Sequence, residues 1–172
     1  MKLLALLMML PMLALAADVP AVGSQAPDFT LNSNEGKPVN LKKLQGKWIV
    51  LYFYPKDFTK GCTIEAHNFQ EDLAQYKKKK VTILGVSVQD PSSHKSFCEK
   101  EHLNFKLLAD VDRSVSTMYG STMEHNGEVL SARNTFIIGP DGAIKKEYVK
   151  VDPAGHSKQL LADLTELQKK GK

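Results

Sequence analysis

The chain has 172 residues, a formal net charge of +4 and 24% charged residues. This length suits one globular domain that buries a core without a metal or a disulfide to hold it together. The lysines are mostly spread along the chain, and the runs at residues 77–80 and 169–170 are typical of solvated helix ends, so the charge gives little support to nucleic-acid binding.

The N-terminal segment is predicted to be a cleaved signal peptide that ends at residue 16. Lys2 gives a positive start, residues 3–15 are almost all Leu, Met or Ala apart from Pro11, and residues 14–16 form a small-x-small cleavage site. A membrane-spanning helix needs about 20 apolar residues, so this shorter run does not favour an anchor. We expect a single mature domain at residues 17–172, periplasmic or secreted, with no stable membrane association.

The first predicted elements are a small antiparallel ribbon and a strand–helix–strand unit. Residues 29–31 and 39–41 flank an Asn-Glu-Gly turn and predict the ribbon. The apolar runs at residues 49–54 and 82–88 have the length and β-branched character of buried strands. Between them, apolar residues recur at helical spacing through residues 66–76. This order predicts one helix that connects two parallel strands by a right-handed crossover.

Two further helices are predicted after this unit. Asp is a favoured N-cap and proline a favoured first helical residue, so Asp90 and Pro91 predict a helix that runs to about Glu101. A short helix at residues 113–119 should end at Gly120, because glycine readily adopts the left-handed conformation that ends helices.

The last predicted elements are a hairpin and a closing helix. Residues 134–138 and 144–149 flank a Gly-Pro-Asp-Gly turn and predict the hairpin. Ser157 is predicted to cap the last helix, which carries an apolar stripe of leucines through residues 160–167. The whole order predicts a thioredoxin-like α/β fold, with a central mixed β-sheet flanked by helices.

The chain contains two cysteines, Cys62 and Cys98, and an even number in an oxidising compartment usually indicates a disulfide. Cys62 falls where the first apolar strand has ended and the helix begins. The unpaired N–H groups and the helix dipole there favour the thiolate, which is the nucleophile. Thr59 can turn its hydroxyl toward the sulfur or a bound peroxide, and Gly61 allows close backbone approach, although both also suit an ordinary cap and turn.

Residues 54–65 (YPKDFTKGCTIE) resemble the peroxidatic loop of peroxiredoxins, and most closely that of the Q-type branch, the bacterioferritin comigratory proteins. The likeness extends along nearly the whole mature chain. Residues 23–31, 93–110 and 132–142 are similar to the family's N-terminal segment, third-helix region and arginine-bearing hairpin. The resemblance implies a peroxidase that reduces hydrogen peroxide and organic hydroperoxides and is recycled by a thioredoxin-type reductant.

The resemblance also implies a role for each residue of the site. Cys62 is the peroxidatic cysteine, Pro55 shields its pocket, and Thr59 binds the peroxide by a hydrogen bond. Arg133 is the cation that stabilises the thiolate and polarises the O–O bond, which agrees with the need for donors placed in advance around a developing negative charge. Glu65 would orient Arg133 from the first helical turn, although an exposed Glu there also suits an ordinary helix start.

Two positions depart from the family pattern. Lys60 stands where a proline is usual, and His67 stands where many Q-type members have their second cysteine. Some members place the resolving cysteine on the third helix, so the resemblance implies that Cys98 resolves Cys62 by an intramolecular disulfide. Alternatively Cys98 only packs in the core, and the protein is a one-cysteine peroxidase. Because Phe97 is the only large apolar residue of that helix, we expect the helix to open easily.

The expected partners are a hydroperoxide substrate and a thioredoxin-type dithiol reductant, with no cofactor or metal, in a monomer or weak dimer. A thiol-disulfide oxidoreductase would need a second cysteine at the position of Glu65. A copper-binding protein of the same fold is another alternative, since Cys62, His67 and His125 offer thiolate and imidazole ligands. Arg133 argues against it, because the guanidinium would repel the metal ion.

Overall fold

The computed structural model describes residues 18–170, and the predicted signal peptide lies outside the described residues. The strands are β1 (Thr30–Ser33), β2 (Pro38–Asn40), β3 (Trp48–Phe53), β4 (Val81–Ser87), β5 (Lys106–Ala109), β6 (Thr122–His125), β7 (Glu128–Ser131), β8 (Thr135–Ile138) and β9 (Ile144–Tyr148). The α-helices are α1 (Lys60–Glu71), α2 (Leu73–Lys78), α3 (Pro91–Glu101), α4 (Ser114–Met118) and α5 (His156–Lys170).

Seven of these strands form one mixed sheet, in the order β2-β1-β5-β4-β3-β8-β9. The three central strands β3, β4 and β5 run parallel, and the outer pairs are antiparallel. Strands β6 and β7 form a separate two-stranded hairpin. The predicted ribbon, parallel pair and C-terminal hairpin are therefore confirmed as parts of one sheet.

Strand β3 shows why its sequence is a continuous apolar run. Successive side chains of a strand point to opposite faces. Val50 and Tyr52 belong to the core on the face covered by α1, α2, α3 and α5, whereas Ile49 and Leu51 belong to the core on the face covered by α4. Both faces of the sheet are buried under helices, which confirms the prediction of a mixed sheet flanked by helices.

The predicted start of α3 is confirmed. The Asp90 carboxylate accepts hydrogen bonds from the backbone N–H groups of Ser92 and Ser93, each at 2.9 Å, and Pro91 is the first helical residue. This cap satisfies two N–H groups that have no partner within the helix. The helix ends at Glu101, as the sequence predicts.

The single helix predicted between β3 and β4 is wrong, because α1 and α2 are separated at Asp72. Asp72 has a ψ of 1°, and its carboxylate accepts hydrogen bonds from Gln75 Nε2 and Ser157 Oγ, both at 2.8 Å. A carboxylate with such partners outside the backbone ladder favours a turn over a continued helix. The predicted cap of α5 is also wrong, because this helix begins at His156 and Ser157 therefore lies inside its first turn.

The sequence predictions omit β5 and the β6–β7 hairpin. The hairpin turns at Asn126 and Gly127, which both have positive φ, of 51° and 79°. Asn-Gly is a strong signal for such a turn. Strand β6 is largely exposed and mostly polar, so it lacks the alternation that usually identifies a strand.

Candidate active site

Cys62 lies in the first turn of α1, where backbone N–H groups have no acceptor within the helix. Strand β3 ends at Phe53, residues 54–59 turn back, and Thr59 is the extended N-cap residue of the helix. The side chain of Cys62 is buried, with 2% of its surface exposed. The structure therefore places this sulfur at the strand-to-helix junction that the sequence predicts, where the helix dipole favours negative charge.

Arg133 reaches this sulfur from the segment between β7 and β8. Its Nη2 donates a hydrogen bond to Cys62 Sγ at 3.2 Å, and its Nη1 donates to Glu65 Oε2 at 2.7 Å. Gly61 makes this approach possible, since a Cβ atom there would lie 2.7 Å from Arg133 Nη2. The fold thus brings together three of the predicted site residues, Cys62, Glu65 and Arg133.

Glu65 lies one turn after Cys62 on the buried side of α1, and 1% of the residue is exposed. Burial raises the pKa of the Glu65 carboxyl to about 7, although the neighbouring Arg133 guanidinium opposes the rise. Within the described residues, Glu65 Oε1 has no hydrogen-bond partner. The alternative that Glu65 is an exposed glutamate of an ordinary helix start is therefore wrong. Its other oxygen holds the Arg133 guanidinium beside the sulfur.

Pro55 and Thr59 line an open concavity together with Gly61 and Arg133. The Thr59 hydroxyl donates a hydrogen bond to the carbonyl oxygen of Lys56 at 3.0 Å. The sequence allows the Thr59 hydroxyl to turn toward the Cys62 sulfur, but in the structure its hydrogen points to this carbonyl oxygen instead. With its hydrogen committed to this carbonyl, the Thr59 oxygen remains an acceptor for the hydroxyl group of a ligand.

The β6–β7 hairpin forms another part of this concavity, which the sequence predictions miss. Met123 and Leu130 supply apolar side chains, and His125 is a polar neighbour. Lys56 Nζ lies 3.7 Å from Glu128 Oε2, which connects the hairpin to the loop before α1. The Asn-Gly turn was the available signal for this hairpin, but nothing in the sequence indicates that it packs beside Cys62.

Cys98 lies on α3 and lines a different concavity from the one formed by Pro55, Thr59 and Arg133. Its neighbours there include Glu35, Lys95 and Glu99, and the two concavities share no lining residue. The residue is 6% exposed, and burial raises the pKa of its thiol to about 12. Both cysteines are free. Because the thiolate is the attacking species, Cys98 is a weak nucleophile in this arrangement.

Helix α3 is held more firmly than the sequence indicates. Phe97 is fully buried, as expected, but His94 is fully buried as well, with its Nδ1 2.8 Å from Asp57 Oδ2. Phe97 is the one large apolar residue of α3, as predicted, but the expectation that little burial opposes the opening of this helix is wrong. A buried polar pair produces no apolar periodicity, and the one available signal was the position of His94 one helical turn before Cys98.

The structure does not gather the ligands of the copper alternative. His67 Nε2 lies 2.8 Å from Glu101 Oε2, and His125 lies at the end of β6 beside Asn126. Across residues 18–170, no group of three or more His, Cys, Asp and Glu side chains is arranged to hold a metal ion. None of the helices in this part of the chain has the length and apolar character of a membrane-crossing segment.

The groups around Cys62 suit nucleophilic sulfur chemistry. A guanidinium and helix N-terminal N–H groups stabilise a thiolate and also the negative charge on an oxygen that leaves when the sulfur attacks an O–O bond. Dithiol exchange by a Cys-x-x-Cys pair would instead need a second thiol at position 65, where the side chain is a carboxyl. The arrangement favours peroxide reduction over dithiol exchange.

Comparison with known proteins gives one consistent result. The model of the AhpC/TSA family matches residues 22–147. The chain is 40% identical over 147 residues to the Bcp peroxiredoxin of Helicobacter pylori, a match that covers 83% of this chain and 97% of that protein. The crystal structure of a Xylella fastidiosa peroxiredoxin Q variant superposes with a TM-score of 0.84 at 29% identity, over 88% of this chain and 99% of that one.

A second solved structure, of the Xanthomonas campestris bacterioferritin comigratory protein, has a TM-score of 0.76 at 34% identity and covers 80% of this chain and 90% of that one. That protein is described for its alkyl peroxide reduction activity. These matches confirm the thioredoxin-like α/β fold that the order of elements predicts.

Proposed function

Because the chain belongs to the AhpC/TSA family, and within it to the Q-type or bacterioferritin comigratory peroxiredoxins, it is a thiol-dependent peroxidase, and we propose that Cys62 is its peroxidatic cysteine. The observation that carries this proposal is the distance of 3.2 Å between Arg133 Nη2 and Cys62 Sγ. A cation at this distance stabilises the thiolate, which is the nucleophilic form.

In the first step, the Cys62 thiolate attacks the terminal oxygen of the hydroperoxide. The S–O bond forms as the O–O bond breaks, so Cys62 becomes a sulfenic acid and the other oxygen leaves, takes up a proton and departs as water or an alcohol. Arg133 and the N–H groups of the helix start stabilise the leaving oxygen. Thr59 accepts a hydrogen bond from the peroxide hydroxyl, and Pro55 shields the pocket.

The substrates are hydrogen peroxide and organic hydroperoxides. The apolar side chains of Met123 and Leu130, in the concavity that Arg133 also lines, support an organic substrate, because they offer an alkyl group a surface away from water. The alkyl peroxide reduction described for the Xanthomonas campestris relative supports the same substrate class.

In the second step, Cys98 attacks the Cys62 sulfenic acid, and a disulfide and water are formed. A thioredoxin-type dithiol then reduces this disulfide. Local unfolding brings the two sulfurs together, because both cysteines are buried on different helices, Cys62 on α1 and Cys98 on α3, and the two Cα atoms of a disulfide lie within about 7 Å. Exposure of Cys98 also removes the burial that raises the pKa of its thiol, which makes it a better nucleophile.

The Cys98→Ser variant tests this step. It should still reduce about one equivalent of peroxide but then stall as a Cys62 sulfenic acid, or over-oxidise, in the presence of a thioredoxin-type reductant. Turnover is measured as peroxide consumption in a coupled thioredoxin assay, and the stalled species is identified by its mass. Normal turnover of Cys98→Ser with this reductant would mean that the protein works as a one-cysteine peroxidase.

We also propose that residues 17–172 form the mature protein, a monomer or weak dimer that is exported to a periplasm or secreted. The charged start, the apolar run and the small-x-small site of the N-terminal segment support export. N-terminal sequencing of protein from the producing cell should begin at or near Ala17. Recovery of mature protein that begins at Met1 would contradict the proposal.

A further inference from the structure

A buried polar network joins the loop before α1 to helix α3. The Asp57 carboxylate, 1% exposed, accepts hydrogen bonds from Tyr54 Oη at 2.7 Å and from Ser93 Oγ at 2.7 Å. His94 Nδ1 lies 2.8 Å from Asp57 Oδ2, and His94 Nε2 lies 3.2 Å from the carbonyl oxygen of Leu108. One carboxylate thus collects donors from two segments that are far apart in sequence.

The network centres on a buried carboxylate. A carboxylate only accepts hydrogen bonds, so the His94 nitrogen that faces Asp57 carries a hydrogen and donates it. Burial would raise the pKa of Asp57, but the hydrogen bonds from His94, Tyr54 and Ser93 outweigh it and hold that pKa below its usual value. Removing one partner of a buried, hydrogen-bonded pair is far more unfavourable than breaking an exposed one.

The position of the network relates it to both cysteines. Asp57 lies in the loop that leads into the Cys62 turn, and His94 lies one helical turn before Cys98 on α3. Packing and charge contacts join the same two segments. The ring of Phe58 lies 5.1 Å from that of Phe97, and Lys100 Nζ lies 5.4 Å from the centre of the Phe58 ring.

The loop is also held in an uncommon backbone conformation at this place. Phe58 has a φ of 62°, in the left-handed region that residues other than glycine rarely adopt. Its neighbour Asp57 and its own ring are both held by α3. When α3 moves away, the loop therefore loses the contacts that stabilise this conformation, so the Cys62 turn and the Cys98 helix are released together.

We propose that Asp57, Ser93 and His94 are positioning residues that set the rate at which oxidised Cys62 and Cys98 reach each other. This inference rests on the proposed role of Cys98. Disulfide formation requires the two segments to separate and refold, and the buried network opposes that separation. The network keeps the Cys62 pocket intact for the attack on peroxide and delays resolution of the sulfenic acid.

The delay has a chemical consequence. Before Cys98 reacts, a second hydroperoxide can oxidise the Cys62 sulfenate to a sulfinic acid, and this hydroperoxide is itself reduced to an alcohol or water. Resolution is unimolecular, whereas over-oxidation depends on the peroxide concentration. The peroxide concentration that over-oxidises half of the protein therefore increases in proportion to the rate of resolution.

The test compares Ser93→Ala with Ser96→Ala. Ser93 donates to Asp57, whereas Ser96 lies on the same helix and its hydroxyl donates to the carbonyl oxygen of Ser92. Loss of one hydrogen bond to a carboxylate should speed disulfide formation on the order of fivefold in Ser93→Ala and raise the half-over-oxidation concentration by a similar factor. The rate of peroxide attack by Cys62 should stay the same in both variants, and Ser96→Ala should match the wild type throughout. Asp57→Asn, which keeps the size of the side chain but removes its charge, should speed resolution further.

Rapid-quench mass spectrometry measures disulfide and sulfinic acid in each variant. If Ser93→Ala and Asp57→Asn resolve no faster than Ser96→Ala while the wild type does form the Cys62–Cys98 disulfide, the network has no role in resolution and the role of Cys98 stands. A change of the peroxide-attack rate in step with the resolution rate would indicate a general structural effect and would also overturn the proposal. If the wild type forms no such disulfide, the role of Cys98 and this inference fail together.

Discussion

Cys62→Ser should lower peroxidase turnover by at least about a thousandfold, the scale expected when a catalytic nucleophile is removed. Serine has nearly the size of cysteine, so the buried turn of α1 should keep its structure. Its hydroxyl, however, stays protonated at neutral pH and is a far weaker nucleophile than a thiolate. The second-order rate constant for peroxide consumption measures this loss, and circular dichroism checks that the fold is retained.

Cys98→Ser is the matched control for this prediction, because it removes the other thiol and leaves the groups around Cys62 in place. It should retain the rapid first reduction of peroxide that Cys62→Ser loses. Substantial turnover in Cys62→Ser together with loss of the first reduction in Cys98→Ser would reverse the two roles.

Arg133→Gln is expected to lower the rate constant for peroxide attack on the order of a hundredfold to a thousandfold, the scale observed when one donor to a developing oxyanion is removed. The neutral amide no longer stabilises the Cys62 thiolate or the leaving oxygen. It also leaves the buried Glu65 carboxyl without the cation that opposes the rise of its pKa. Stopped-flow measurement of the reduced protein with hydrogen peroxide isolates this step from recycling.

Arg113→Gln is the control for the charge change. Arg113 is exposed and lies at the start of α4, outside the Cys62 site. Its substitution removes the same charge from the protein and should leave the rate constant within about twofold of the wild type, since the exposed Arg113 side chain has no hydrogen bond to Cys62 and solvent screens its charge. Arg133→Lys should be intermediate, because lysine keeps the charge but lacks the guanidinium fork that contacts sulfur and carboxylate together. Equal rates for Arg133→Gln and Arg113→Gln would remove Arg133 from the mechanism.

The elements that the sequence predicts well are those with local signals. The strand β3 is a continuous apolar run because both of its faces are buried, and α3 starts at an Asp-Pro pair that satisfies its first N–H groups. The location of Cys62 follows from the same kind of signal, the end of a strand followed by a helical pattern. Arg133 became a candidate through family resemblance, because no local pattern relates it to a cysteine in a distant segment.

The elements that the sequence does not predict depend on tertiary contacts. The break between α1 and α2 involves a hydrogen bond from Ser157, which comes from the far end of the chain. The burial of His94 depends on Asp57, which lies before α1, and no apolar periodicity marks either residue. The β6–β7 hairpin lies beside the site because of the path that the chain takes between α4 and β8. These contacts decide how the site is shaped and how firmly Cys98 is held.

The most direct test of the proposed mechanism is mass spectrometry of the reduced protein after one equivalent of hydrogen peroxide. The mass of the wild-type protein should decrease by that of two hydrogen atoms. Peptide mapping without reduction should find Cys62 linked to Cys98 within a single chain. A stable sulfenic acid on Cys62 with a free Cys98 would mean that Cys98 does not resolve it. Oxidation that begins at Cys98 while Cys62 stays reduced would contradict the central claim that Cys62 attacks the peroxide.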